Sequence, residues 1–436
     1  MASIKIDLPY GHDTIAVQVP SGKLVGVFLP RPLAPVSDPA KALRDALAHP
    51  VSSPRLRDLA AHARRAAIAI EDATRPVPNA LLLDAVMAEL EAGGMLPEHA
   101  VVIVATGLHR PMSDQELACA LGRWFGVVAC ENHDANDSQR LTHLGTTGLG
   151  TEILLNRSFL EADLRITTGD VEYHQFCGYG GGVKCVYPGL ADAAAIRTNH
   201  SRMDLPGTGP GCLDGNPVRQ EIEEVGRMAE VRFNISVALD AEHRIVAVRA
   251  GDPHLSFREA CRFIDEMYAV EVPRRADLVI ASPGGHPKDI DLYQSQKAIE
   301  EATQVVEPGG NVLVTARCEE GSGSGLFEAW MQEACTADEI IHRIRESFIM
   351  GGHKAYQIAR EVQRANVHLY SEIPPGRVRS WMMTPVRSMP DIDRLIARSR
   401  SVLVLPQATL VRAYLSTNHK EHLWDLTKKD GCNPGS

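Results

Sequence analysis

Residues 66–76 read AAIAIEDATRP and residues 100–111 read AVVIVATGLHRP. Each is a short apolar run that breaks into a polar loop ending in proline. A helical pattern follows each one. Residues 78–92 run to a Gly93-Gly94 C-cap, and Ser113 with Glu116 spells the capping box that opens the next helix. A buried strand, a loop and a helix, twice over, is the repeating unit of a parallel α/β sheet. In open sheets of this kind ligands bind at the carboxyl ends of the strands. Asp72, Arg75 and His109 are therefore expected to share one edge.

The pattern extends in both directions. Residues 4–8 and 14–19 read as a starting hairpin, and Asp38-Pro39 as an N-cap with proline at the first helical position. Helical character follows over 40–48 and 57–63. Residues 164–168 form another strand, which leads through Gly169 to His174 into a glycine-rich run. A helix over 256–269 reads as a bridge between domains. Then the βαβ pattern restarts: strand 276–281, Gly/Pro loop 282–291, helix 292–305, turn 307–310 and strand 312–316. A last strand spans 402–405. The expectation is two α/β domains with mainly parallel sheets and an active-site cleft between them. The expected bounds are 1–255 for a cofactor-binding domain, 256–273 for the bridge, 274–426 for the second domain and 427–436 for a loose tail.

Composition narrows the function classes. Of 436 residues, 44% are hydrophobic and the formal net charge is −10, which gives no electrostatic footprint for nucleic acid or an anionic membrane. No apolar run is long enough to span a bilayer, and the N-terminus lacks the order of a signal peptide. Nine scattered cysteines without a Cys-x-x-Cys pair point to reduced thiols in a cytoplasmic chain.

The densest feature is Gly178-Tyr179-Gly180-Gly181-Gly182-Val183-Lys184. Adjacent glycine N–H groups can cradle an anion, and a phosphate-bearing cofactor is the natural guest. Val183 between Gly182 and Lys184 rules out a Walker A loop. Lys184 is either a surface lysine in a tight loop or, with a lowered pKa, a point of covalent attachment. His109, His174 and His200 sit in loop or strand-end contexts and suit proton transfer or metal ligation. Arg75 reads as a two-bond carboxylate holder or as a loop-anchoring ion pair. Gln294 and Lys297 share a helix face, which either meets an anion or is plain solvated surface. Residues 321–325, GSGSG, lack the preceding strand of a nucleophile elbow and read as a mobile loop.

Several separated segments together resemble the nickel-dependent lactate racemase family: Asp72 to Pro76, Thr106 to Pro111, His174, the Gly180–Lys184 run with Pro188-Gly189, Asn199-His200, and Leu292-Tyr293-Gln294 with Lys297. The resemblance implies a nickel-pincer nucleotide cofactor, made by separate cofactor-assembly proteins. Lys184 would carry it covalently, His200 would ligate its nickel, and Asp72 with Gly180, Gly181 and Gly182 would help to seat it. His109 and His174 would be the acid–base pair. Arg75, Tyr293, Gln294 and Lys297 would hold the substrate, a small 2-hydroxy acid. The implied reaction is racemisation or epimerisation by proton-coupled hydride transfer. A 2-hydroxy acid/2-oxo acid transhydrogenase using the same cofactor, an NAD-dependent dehydrogenase and a non-catalytic hydroxy-acid sensor are the other readings. The bulky, thiol-bearing stretches Gln175 to Tyr179 and Cys185 to Tyr187 depart from the expected pattern beside this site and are expected to narrow or redirect its pocket.

Overall fold

The computed structural model describes residues 2–346, 349 and 351–415. It divides into two compact units, Arg31–Met267 and the pair of segments Met1–Pro30 and Tyr268 onward. We call them the central and the split unit.

The central unit is built on a six-stranded sheet ordered Ile245–Gly251, Phe233–Leu239, Leu164–Val171, Ala66–Glu71, Ala100–Ala105, Ala129–Asn132. All neighbours are parallel except the Ile245–Gly251 edge. Residues Ala66–Glu71 are buried throughout, as a strand covered on both faces must be. The helix Asn79–Ala92 places Leu82, Leu83, Val86 and Leu90 in the same core as Ile68, Val102 and Ile235. The Ser113–Glu116 capping box forms as its sequence specifies.

The split unit carries a second sheet of six parallel strands, ordered Thr384–Val386, Asn366–Tyr370, Val306–Thr315, Ala276–Ala281, Val402–Leu405, Leu24–Val27.

Three expectations need correction. The first 30 residues do not belong with the chain that follows them. Leu24–Val27 pairs with Val402–Leu405, and Ile6, Leu8, Val17 and Val19 of the hairpin Ser3–Tyr10 and Asp13–Pro20 share a core with Leu278, Ile280 and Val404. The helix expected as a bridge, Pro253–Tyr268, is part of the central unit. Its Phe257 ring packs on the Arg219 guanidinium, 3.9 Å from the ring centre, and Ser256 accepts from Asn234 at 2.9 Å. The turn expected at 307–310 lies inside the strand Val306–Thr315, where the pairing with Ala276–Ala281 jumps register and absorbs the glycines as an irregularity. The expected tail, 427–436, lies outside the described residues. No helix among the described residues is long and apolar enough to cross a membrane.

Candidate active site

The carboxyl ends of the central strands gather the ionisable groups. Glu71 closes its strand and faces Gly169 of the neighbouring one. A Cβ at Gly169 would come within 2.9 Å of the Glu71 carboxyl carbon, so glycine makes room for the acid. Burial, and then the like charge of Asp170, push the Glu71 carboxyl well above the usual range. Both effects favour the neutral acid, and the Cys185 thiol lies 3.8 Å from Oε1.

Asp72 has the opposite character. Its Oδ1 accepts from the Thr74 N–H at 3.0 Å and the Thr74 hydroxyl at 2.5 Å. Its Oδ2 accepts from Nδ1–H of His109 at 2.7 Å. Burial alone would raise this carboxyl, but the hydrogen bonds outweigh burial and hold it low. An ionised Asp72 fixes the proton of His109 on Nδ1 and leaves the lone pair on Nε2, the arrangement of a general base. His109 also lines a cavity of about 340 Å³ with Leu108, Asn132, His133 and Arg140. Arg75 forms an ion pair with Glu172.

His174 lies in the small hairpin Tyr173–His174 with Gly178–Tyr179. Its Nδ1 faces the Cys177 N–H at 3.5 Å. Burial first, and then the charges of Lys184, Arg75 and His200, push this imidazole well below its ordinary range, so it is neutral at neutral pH. The Phe176 ring stands edge-on to both His174, at 4.6 Å, and His200, at 5.1 Å. Asn216 anchors Phe176 by donating to its carbonyl at 2.8 Å.

Lys184 sits in a single 3-10 turn, Gly182–Cys185. Burial lowers its ammonium pKa, with Arg75 adding to the effect while Cys177, Glu71 and Cys185 oppose it. The glycines before it are required by the chain's own packing. A Cβ at Gly181 would meet the Asp170 carbonyl oxygen at 2.3 Å, and one at Gly182 the Phe257 ring at 2.8 Å. Gly180 is looser, with 3.4 Å to the Glu172 side chain. Arg219, 1% exposed, pins the turn by donating toward the carbonyls of Tyr179 and Gly181.

His200 is on the last turn of the helix Ala193–Ser201. Its Nδ1–H donates to the Ile196 carbonyl at 2.9 Å, which directs the Nε2 lone pair away from the helix, as in many metal-ligating histidines. Buried Glu221 fixes this turn through Asn199 at 3.3 Å and Arg202 at 2.6 Å.

In the split unit, Asp291 caps the helix Leu292–Val305 by accepting from Gln294 N–H at 2.7 Å. Gln294 and Lys297 are exposed on one face, with Tyr293 half-buried beside them. Buried Lys354 lies 5.3 Å from the centre of the Tyr293 ring and donates to Gln296 at 3.1 Å. The 321–325 stretch, expected to be a mobile loop, is tied to this helix start. The Gly321 and Ser322 carbonyls accept from Leu292 and Tyr293, and a Cβ at Gly323 would strike the Asp291 carboxylate at 2.3 Å.

Residues 10–208 match the lactate racemase N-terminal domain and residues 272–392 its C-terminal domain. The chain belongs to the lactate racemase family, and so to a family of enzymes. Among curated relatives of this family, the lactate racemase of Thermoanaerobacterium thermosaccharolyticum is 27% identical over 93% of this chain and 98% of its own length. The lactate racemase of Lactiplantibacillus plantarum is 29% identical over 74% of this chain and 77% of its own. The solved apoprotein from the Thermoanaerobacterium species superposes with a TM-score of 0.82, covering 94% of this chain and all of that one. A Thermotoga maritima protein, 17% identical with a TM-score of 0.58, shares the fold.

Sequence reading missed Glu71, Asp170, Glu221 and Lys354. Glu71 and Asp170 each adjoin a residue that was singled out or a strand end, but only the sheet brings them together.

Proposed function

We propose that the chain racemises or epimerises a small 2-hydroxy acid, using a nickel-pincer nucleotide carried on Lys184. The observation that carries this reading is the setting of Lys184: an amine with a lowered pKa, held by glycine packing in the same unit as His174, His200 and the Asp72–His109 pair. A lysine that is neutral for part of the time is nucleophilic, as covalent attachment requires. His200 supports the reading with its lone pair on Nε2. So do the buried oxygens of Asn199, Glu71 and Thr168 that have no hydrogen-bond partner among the described residues. The imidazole of His200 suits nickel better than a hard cation.

When bound, such a group stores the hydride of the substrate carbon, so that no carbanion is needed and a planar 2-oxo acid can be reduced on either face. The protein supplies the proton chemistry. His109, oriented by Asp72, takes a hydroxyl proton at Nε2. His174, kept neutral by burial, is the second base, for the opposite enantiomer. Asp72 enters as the orienting partner of His109, because its oxygens are already engaged there. Arg75 is the carboxylate donor of the central unit, and Gln294 and Lys297, with Tyr293 beside them, are the candidate substrate donors of the split unit.

The test is intact mass and nickel analysis of chain produced alongside the cofactor-assembly proteins. A mass addition mapping to Lys184, one nickel lost in Lys184→Ala, and racemase activity lost with an unchanged circular dichroism spectrum are expected. An unmodified Lys184 in a chain that still racemises would overturn the cofactor assignment.

A further inference from the structure

We propose a second metal site in the split unit, formed by His12, His286 and Glu319 and suited to a zinc- or nickel-type divalent ion. The ligand-capable atoms of these three exposed side chains all lie within 4.8 Å of one another. The two imidazoles stack, with centroids 4.1 Å apart and planes 26° from parallel. Two imidazole nitrogens and one carboxylate oxygen are a donor set for first-row transition metals, whereas calcium and magnesium ask for oxygen alone. An ion about 2.1 Å from each donor needs donor atoms roughly 3–3.5 Å apart. Side-chain rotation on an exposed surface covers that difference.

The convergence is built into the backbone. The three ligands come from segments far apart in sequence: the hairpin turn at His12, the loop after the strand Ala276–Ala281, and the loop after Val306–Thr315. Asp289 joins them. It is fully buried, and its Oδ2 accepts from the N–H of Gly11 at 2.7 Å and of Arg317 at 3.1 Å. Its carbonyl accepts from Cys318, next to Glu319, and His286 N–H donates to Gly11. Gly285 allows the close approach, since a Cβ there would lie 2.9 Å from the Gly11 carbonyl oxygen. Cys318 takes a left-handed φ of 52°, a strained conformation for a side-chain-bearing residue, and so presents Glu319. Glu319 itself is held only loosely. Arg317 lies 3.9 Å from it and is committed to Glu372 at 2.9 Å.

An ion here would clip the N-terminal hairpin to the loops of the sheet on which it packs. It would also add a metal equivalent that is independent of Lys184 and His200. The experiment is calorimetric titration of Zn²⁺, and separately Ni²⁺, into the untagged full chain. One saturable equivalent is expected, weakened at least tenfold in His12→Asn and in His286→Ala, and unchanged in His200→Ala and by excess Ca²⁺. Zn²⁺ should raise the melting temperature of the wild type and not of His12→Asn, whose substitution lies in an exposed turn. No saturable equivalent, or one that survives in His12→Asn, overturns the site. An equivalent lost only in His200→Ala overturns it as well and leaves the proposed function standing.

Discussion

Both units bury charges, but they treat them differently. In the split unit, buried Glu300 and Glu361 are both paired with Arg360, at 3.0 and 2.7 Å, and Glu361 also accepts from Thr303. At the strand ends of the central unit's candidate site, like is set beside like, whereas Glu221 further along is paired with Arg202. Glu71 faces Asp170, and the charges of Lys184 and Arg75 bear on His174. The first arrangement gives its carboxylates a shared cation, although burial still raises Glu300. The second leaves its groups displaced from their ordinary ionisation, which is the mark of groups placed for chemistry rather than for stability.

The sharpest way to break this contrast is through activity. His109→Asn and His174→Asn remove groups that the contrast assigns to proton transfer. Each should lower racemisation by about 10²–10⁴-fold, the usual worth of general acid–base catalysis, with little change in the denaturation midpoint. Variants that retain more than a tenth of wild-type activity from both enantiomers would remove the histidines from the chemistry.

Stability should respond in reverse. Arg360→Ala strands two buried carboxylates and should cost about 3–5 kcal/mol by urea denaturation. Glu71→Gln copies the neutral form that burial and Asp170 favour, so below the unfolded carboxyl pKa it should lie within about 1 kcal/mol of wild type. The sign with pH follows. A carboxyl whose folded pKa is raised contributes its full stability below the unfolded value, near 4.5, and loses it as pH rises through the folded value. Glu71→Gln should therefore flatten the decline in stability as pH rises above about 4.5. If Arg360→Ala is mild and Glu71→Gln severe, the contrast between the units fails.

How much of this was legible beforehand depends on the range of each contact. Residues 66–76 and 100–111 reveal their strands because burial on both faces demands an unbroken apolar run, and the Asp72–His109 pair follows from two adjacent strand ends. The Glu71–Asp170 contact does not follow, because nothing local distinguishes Glu71 from the loop it precedes until the strand pairs as far as Ala105. The N-terminal hairpin announces itself by alternation, but alternation names no partner sheet, so the pairing of Leu24–Val27 with Val402–Leu405 and the boundary after Pro30 are not legible from it. Phe176 was visible as bulk near the site. Its position between two histidines depends on Asn216, 40 residues on.

The smallest effect concerns Lys354, one of the groups in the split unit whose ionisation is displaced as in the central one. Lys354 is 4% exposed, and burial, followed by the charge of Lys297, brings its pKa down to about 7. A carboxylate bound at Lys297 would offset that repulsion and favour the protonated form. Since Lys354 gains its proton as pH falls through about 7, a 2-hydroxy acid anion should bind more tightly at pH 6 than at pH 8. The difference should be only a few-fold, in keeping with a partly screened charge pair worth roughly 0.2–1 kcal/mol. Calorimetry with a 2-hydroxy acid at pH 6, 7 and 8 measures it directly. Lys354→Met, which removes the ammonium and keeps a long unbranched side chain, should bind with no such slope. The same slope in Lys354→Met would assign the pH dependence elsewhere and leave Lys354 as a structural partner of Gln296.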